Sequence, residues 1–205
     1  MRALVLVDLQ YDFCPGGALA VARGDETIPI ASRLMPHFST IVATQDWHPP
    51  GHKSFAMNNP GTKEGDVIDL GNTRQVMWPA HCVQNTHGAE LHAGLDRSKI
   101  TEVFQKGTDP QLDSYSGFFD NGHTKATGLA QWLSERWVKQ LYILGLATDF
   151  CVKATALDAR QLGFDVFLVE DGCRGVELRP GDSERAVAEM RGRGVAIVES
   201  GAIGA

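Results

Sequence analysis

Six short apolar runs, separated by stretches of helical periodicity, constrain the fold more than any other feature of this sequence. Residues 2–7 (RALVLV), 40–44, 102–105, 141–146, 164–169 and 195–198 read as strands. They are near-continuous in apolar character rather than alternating, as strands buried on both faces are. Between them, residues 28–38, 123–138, 151–162 and 183–193 read as helices. Thr27 is placed to cap the first, with Pro29 tolerated in its opening turn. Ala126, Leu129, Ala130, Leu133 and Trp137 carry helical spacing through the second. Val152, Thr155, Ala156, Ala159 and Leu162 share one face of the third. This alternation predicts an α/β protein, with a six-stranded parallel sheet between two helical layers.

The chain has 205 residues and 43% hydrophobic content, enough for one sizeable core and consistent with a single domain over 1–205. No repeat or low-complexity linker divides it. Residues 46–99 interrupt the alternation with four prolines, several glycines and five of the seven histidines. A loop this long inside a compact domain is usually functional or disordered. Trp47, Phe55 and Trp78 within it argue for order. No apolar run is long enough to span a bilayer, and the run before Asp8 is too short for a secretory signal. The expectation is a cytoplasmic protein with no membrane partner. Cys14, Cys82, Cys151 and Cys173 show no paired spacing and read as free thiols. A formal charge of −6 without a basic stripe excludes general nucleic-acid binding. The choice between monomer and homo-oligomer stays open.

In open α/β sheets, ligands bind beyond the carboxyl ends of the strands. Asp8 follows the first strand, Asp46 and His48 the second, Lys106 the third and Cys151 the fourth. Residues far apart in sequence therefore converge on one edge. Cys151 stands where an apolar strand, a short polar turn and a helix meet; the unpaired N–H groups of a helix start favour thiolate there. The same place also suits a small buried residue that packs the junction. Asp8 beside a thiol is a candidate general base and acid. Lys106 between them would keep Asp8 ionised and favour thiolate. Asp46-Trp47-His48, with His81 in Trp78-Pro79-Ala80-His81-Cys82, supplies three N/O ligands that suit zinc, with manganese or iron as alternatives. His52, four residues beyond His48, competes for the third place, and Cys82 is a softer candidate. His37, His87, His92 and His123 have no such context and read as surface or loop residues.

Taken together these residues resemble the nicotinamidase (pyrazinamidase) family of isochorismatase-like hydrolases, whose fold is Rossmann-like. The resemblance rests on residues 7–19 (VDLQYDFCPGGAL), 44–49 (TQDWHP), 54–56 (SFA), 78–83 (WPAHCV), Lys106-Gly107, 113–118 (DSYSGF) and 145–152 (GLATDFCV). It implies a catalytic triad of Asp8, Lys106 and Cys151. It implies one divalent ion, zinc first, on Asp46, His48 and His81, and so favours His81 over His52. Some relatives place a fourth, histidine ligand near Ser54; a serine there would act through water. Phe13, Trp78 and Tyr115 would line the pocket around a pyridine ring. A cis peptide at Leu146–Ala147 would turn the Ala147 N–H toward the substrate, making an oxyanion hole with the Cys151 N–H. The implied reaction is hydrolysis of nicotinamide to nicotinate and ammonia through a cysteine thioester, in NAD salvage, with pyrazinamide a further substrate. The nearest alternative is a cysteine amidohydrolase acting on a carbamoyl or ureido compound. A vinyl-ether hydrolase has no use for the cysteine, and a non-catalytic binder has no use for the whole triad.

Overall fold

The computed structural model describes residues 1–70 and 73–204. Six parallel strands form the main sheet: β1 (Arg2–Val7), β2 (Ile41–Asp46), β5 (Glu102–Lys106), β6 (Gln140–Leu146), β7 (Asp165–Arg174) and β8 (Ala196–Val198). Their order is β5-β2-β1-β6-β7-β8. The chain winds outward from β1 to β2 and β5, then returns to the other side of β1 with β6 and winds outward again. The order reverses between β1 and β6, which is where a doubly wound sheet opens a crevice at its carboxyl edge. Ala3 to Val7 are all completely buried. Successive strand residues point to opposite faces, so both faces of β1 are covered, as the unbroken apolar run predicted.

The helices α1 (Thr27–Leu34), α2 (Leu129–Glu135), α3 (Lys153–Gln161) and α4 (Asp182–Gly192) lie in the connections. α1 buries Ile28, Ile30, Ala31 and Leu34 and packs on β6 and β7, while α3 packs on β7 and α4. Burying each large apolar side chain contributes roughly 1.5–3 kcal/mol.

Three expectations are corrected. The helix expected over 123–138 is confined to Leu129–Glu135. Ahead of it the Asp120 carboxylate accepts the Gly122 and Thr124 N–H groups and the Thr124 hydroxyl, which curls the segment into a turn. Gly128 then takes a left-handed conformation before α2 begins. The helix expected from Cys151 begins at Lys153; residues Thr148–Val152 form a wider turn in which the Val152 N–H donates to the Ala147 carbonyl. The third concerns 46–99, which contains an antiparallel hairpin, β3 (Val67–Leu70) and β4 (Thr73–Val76). The rest of that stretch is tied down by isolated bridges joining His48 to Val83, Phe55 to Trp78 and Gln10 to Leu91. The Leu146–Ala147 peptide is cis, as the resemblance implied.

Candidate active site

Asp8 leaves the end of β1 with φ +50°, a left-handed conformation uncommon outside glycine. Thr44 of β2 clamps it: the Thr44 hydroxyl donates to Asp8 Oδ1 at 2.6 Å and accepts the Asp8 N–H at 3.2 Å. Asp8 Oδ2 faces Lys106 Nζ in an ion pair at 2.9 Å. Lys106, the last residue of β5, is buried to the tip of its side chain. Its ammonium donates to Asp46 Oδ1, to the Ser114 carbonyl at 2.9 Å and to Cys151 Sγ at 3.4 Å. Asp8, Asp46 and Cys151 each present an atom within 4.8 Å of the others. The structure thus brings together all the residues that the sequence placed at one sheet edge.

The charges settle in an order set by burial. Burial opposes the ammonium of Lys106, yet Asp46 and Asp8 outweigh it and hold its pKa well above the ordinary lysine value. Burial works against the Asp46 carboxylate too, but Lys106 and His48 keep it well below the usual carboxylate range. At Asp8 burial wins, pushing the carboxyl up; Lys106 pulls it back and Asp46 adds to the rise. Burial also pushes the Cys151 thiol well up, Lys106 only partly offsetting it, with Asp8 and Asp46 pushing the same way. Burial thus opposes the pull toward thiolate that Lys106 exerts, and the Asp8 carboxyl lies close to the thiol.

Asp46, His48 and His81 converge next to this group. His48 Nε2 and His81 Nε2 lie 3.6 and 3.8 Å from Asp46 Oδ2. The other nitrogen of each ring is committed, His48 Nδ1 to the Gly107 carbonyl at 2.9 Å and His81 Nδ1 to the Pro79 carbonyl at 2.8 Å. Carbonyl acceptors of this kind fix the tautomer and aim Nε2, as they do behind metal-bound histidines. Gly107 leaves no room for a side chain, because a Cβ there would overlap the His48 ring. Three buried N/O donors converging within 4.8 Å fit a divalent ion of borderline softness. Burial lowers the His48 pKa, yet Asp46 outweighs it and holds the ring above its ordinary value.

His52 and Ser54 sit behind this cluster. Ser54 Oγ contacts His52 Nδ1 at 2.7 Å, which places it beside the competing histidine, outside the three-donor group. His48, His52 and Asp113 form a second close group. His37, His87 and His123 are exposed and His92 lies in a surface loop, as expected.

Phe13, Trp78 and Tyr115 line a cavity that opens onto Cys151, Ala147, Asp46 and His81. The Tyr115 hydroxyl accepts Trp78 Nε1–H at 3.2 Å and Gln75 Nε2–H at 3.1 Å, which locks two of the walls together. Sequence reasoning missed the other walls, Leu19, Asp113, Phe150 and Val176. It also missed Gln10, whose side chain donates to the Asp46 carbonyl and accepts the Asp46 N–H, both at 2.8 Å, continuing the sheet beyond β2. Leu19, Asp113 and Phe150 stood inside quoted motifs; nothing marked Val176.

A family model described as the isochorismatase domain matches residues 2–202. The chain belongs to the isochorismatase family. Within that family it is 48% identical over 200 residues to the nicotinamidase of Escherichia coli (strain K12), the alignment covering 96% of this chain and 93% of that one. It superimposes on the Acinetobacter baumanii nicotinamidase/pyrazinamidase with a TM-score of 0.95 and 44% identity, over 98% of this chain and 97% of the other. The pyrazinamidase of Pyrococcus horikoshii, solved in complex with zinc, matches with a TM-score of 0.80 and 41% identity, over 97% and 98% of the two chains.

Proposed function

We propose that this protein is a nicotinamidase, hydrolysing nicotinamide to nicotinate and ammonia within NAD salvage, with pyrazinamide as a second substrate. One observation carries the mechanism: Lys106 Nζ reaches Asp8, Asp46 and Cys151 together, so the nucleophile, its base and the metal arm share one buried cation. A single domain carries the activity, with 46–99 as the insert that supplies the metal ligands. Four buried free thiols, Cys14, Cys82, Cys151 and Cys173, are in keeping with a reducing cytoplasm. No described helix is long and apolar enough to cross a membrane.

A carboxamide is a poor electrophile with a poor leaving group, and covalent catalysis divides its hydrolysis into two easier steps. Asp8 Oδ2 takes the Cys151 proton as sulfur attacks the amide carbon. The Ala147 and Cys151 N–H groups receive the charge that develops on oxygen, where each such donor contributes about 3–4 kcal/mol. Asp8 returns its proton to nitrogen, ammonia leaves and a thioester remains. A water molecule, deprotonated by Asp8, attacks the thioester carbon; nicotinate departs and the proton goes back to sulfur. Lys106 stays charged throughout and holds Asp8 in place. Asp46, His48 and His81 would hold the divalent ion, zinc first, and when bound it supplies a Lewis acid for the ring nitrogen, so that the carboxamide faces Cys151.

The deciding measurement is ammonia release from nicotinamide by protein of known metal content. Release that requires the ring nitrogen supports the reading. Release from carbamoyl or ureido compounds, with none from nicotinamide, replaces it with the alternative amidohydrolase.

The raised Asp8 pKa sets the acid side of the pH profile. As pH falls through that value Asp8 takes a proton and can no longer accept the one on Cys151. The expected kcat/KM falls about tenfold per pH unit below a midpoint that lies above the ordinary aspartate value of about 3.9. A profile that stays flat down to that ordinary value would exclude Asp8 as the base.

A further inference from the structure

Asp12 is absent from the mechanism above, yet it occupies the seam between the pocket wall and the metal arm. Its Oδ2 accepts the Cys82 N–H at 2.6 Å and its Oδ1 accepts the Ala18 N–H at 3.1 Å. Its carbonyl accepts the Leu19 N–H at 3.0 Å. Cys82 has φ +45°, a left-handed conformation that a cysteine adopts only when its surroundings impose it. The carbonyl of the same residue accepts the His48 N–H at 3.0 Å. Cys82 therefore follows one metal ligand, His81, in sequence and grips the other, His48, through its carbonyl, while Asp12 holds its N–H.

Gly88 shows how closely the carboxylate is seated. A Cβ at that position would overlap both Asp12 oxygens, although Gly88 itself has no left-handed backbone that would demand glycine. Phe13, the next residue, lies against the His81 ring with centroids 5.5 Å apart.

We propose that Asp12 is a positioning residue for the metal site: its carboxylate, seated against Gly88, holds the strained Cys82 peptide so that His81 and His48 present Nε2 to one ion. The proposal rests on Asp46, His48 and His81 being the ligands. It predicts that displacing the carboxylate weakens metal binding even where every ligand is intact. It also predicts that excess metal repairs the defect, because Asp12 touches neither Cys151 nor Asp8.

The test is zinc affinity of metal-stripped protein, measured against a competing chelator, in four variants. Asp12→Ala is expected to weaken zinc binding by about 10–100-fold, the usual effect of removing a group that orients a ligand. Gly88→Ala keeps the acid but pushes it out of place, and is expected to weaken zinc binding comparably. Asp12→Asn keeps the shape and one acceptor, and should fall between wild type and Asp12→Ala. His81→Ala should lose zinc outright. Alkylation of Cys151 by iodoacetamide in the stripped proteins should be unchanged, and saturating zinc should restore kcat in Asp12→Ala and Gly88→Ala. Wild-type zinc affinity in both of those variants would overturn the proposal. So would a full loss in Asp12→Asn beside none in Gly88→Ala, which would make the effect one of charge. Should Asp12→Ala fail to fold, Gly88→Ala and Asp12→Asn decide. Undiminished zinc binding in His81→Ala would overturn the metal reading itself, and the proposal with it.

Discussion

Cys151→Ala is expected to abolish nicotinamide turnover, by roughly four orders of magnitude or more, while leaving zinc and nicotinamide binding near wild type. The sulfur is the atom that bonds to the amide carbon in the proposed mechanism, and nothing else in the pocket replaces it. Lys106 donates to it at 3.4 Å, but the same ammonium keeps Asp8, Asp46 and the Ser114 carbonyl when the sulfur is gone. In the proposed binding mode Phe13, Trp78 and Tyr115 hold the ring while Cys151 faces the carboxamide. The variant should therefore titrate with nicotinamide, for example by quenching of Trp78 fluorescence, and bind one equivalent of zinc, yet release no ammonia. Turnover at the wild-type rate would exclude the thioester route. Loss of nicotinamide binding together with turnover would mean that the thiol shapes the pocket.

The edge on which this chemistry sits was legible because a parallel sheet delivers every strand end to the same side. Asp8, Asp46, Lys106 and Cys151 each terminate or follow an apolar run, and β1 is buried on both faces, so its run in the sequence matches its extent in the structure. The hairpin of β3 and β4 escaped notice for the opposite reason. Val67–Leu70 is exposed or half-buried throughout, so no burial pattern wrote itself into its residues. The early start assigned to α2 failed because Ala126 has helical spacing by coincidence, while the hydrogen bonds of Asp120 decide the backbone there. A helix start and a lysine that favour thiolate can be read from sequence, but the burial that opposes them cannot. Gln75 reaches Asp113 across 38 residues and Asp12 reaches Cys82 across 70, and nothing local in either pair announces the other.

Lys106→Met is expected to carry the largest stability loss in the chain. It removes the Lys106 ammonium from between two buried carboxylates while roughly keeping side-chain volume. Breaking a buried ion pair from one side costs about 3–5 kcal/mol, because an uncompensated charge stays behind. Here Asp8 and Asp46 both stay behind. Urea denaturation of metal-free protein measures the deficit, and its pH dependence identifies the cause. Burial already raises the folded-state pKa of Asp8 above its unfolded value, and Lys106 is what restrains the rise. Without Lys106 that pKa climbs further. A carboxyl raised on folding contributes stability at pH below its unfolded value and loses it as pH rises through the folded value. The deficit of Lys106→Met should therefore be widest near neutrality and narrow as the solution is acidified. Adding Asp8→Asn should recover part of it at neutral pH, since the neutral amide needs no cation and can still accept the Thr44 hydroxyl. The double variant should remain inactive, having neither base nor cation. A deficit in Lys106→Met that is independent of pH and untouched by Asp8→Asn would mean that Lys106 stabilises the fold by packing, and the electrostatic account of the site would fail with it.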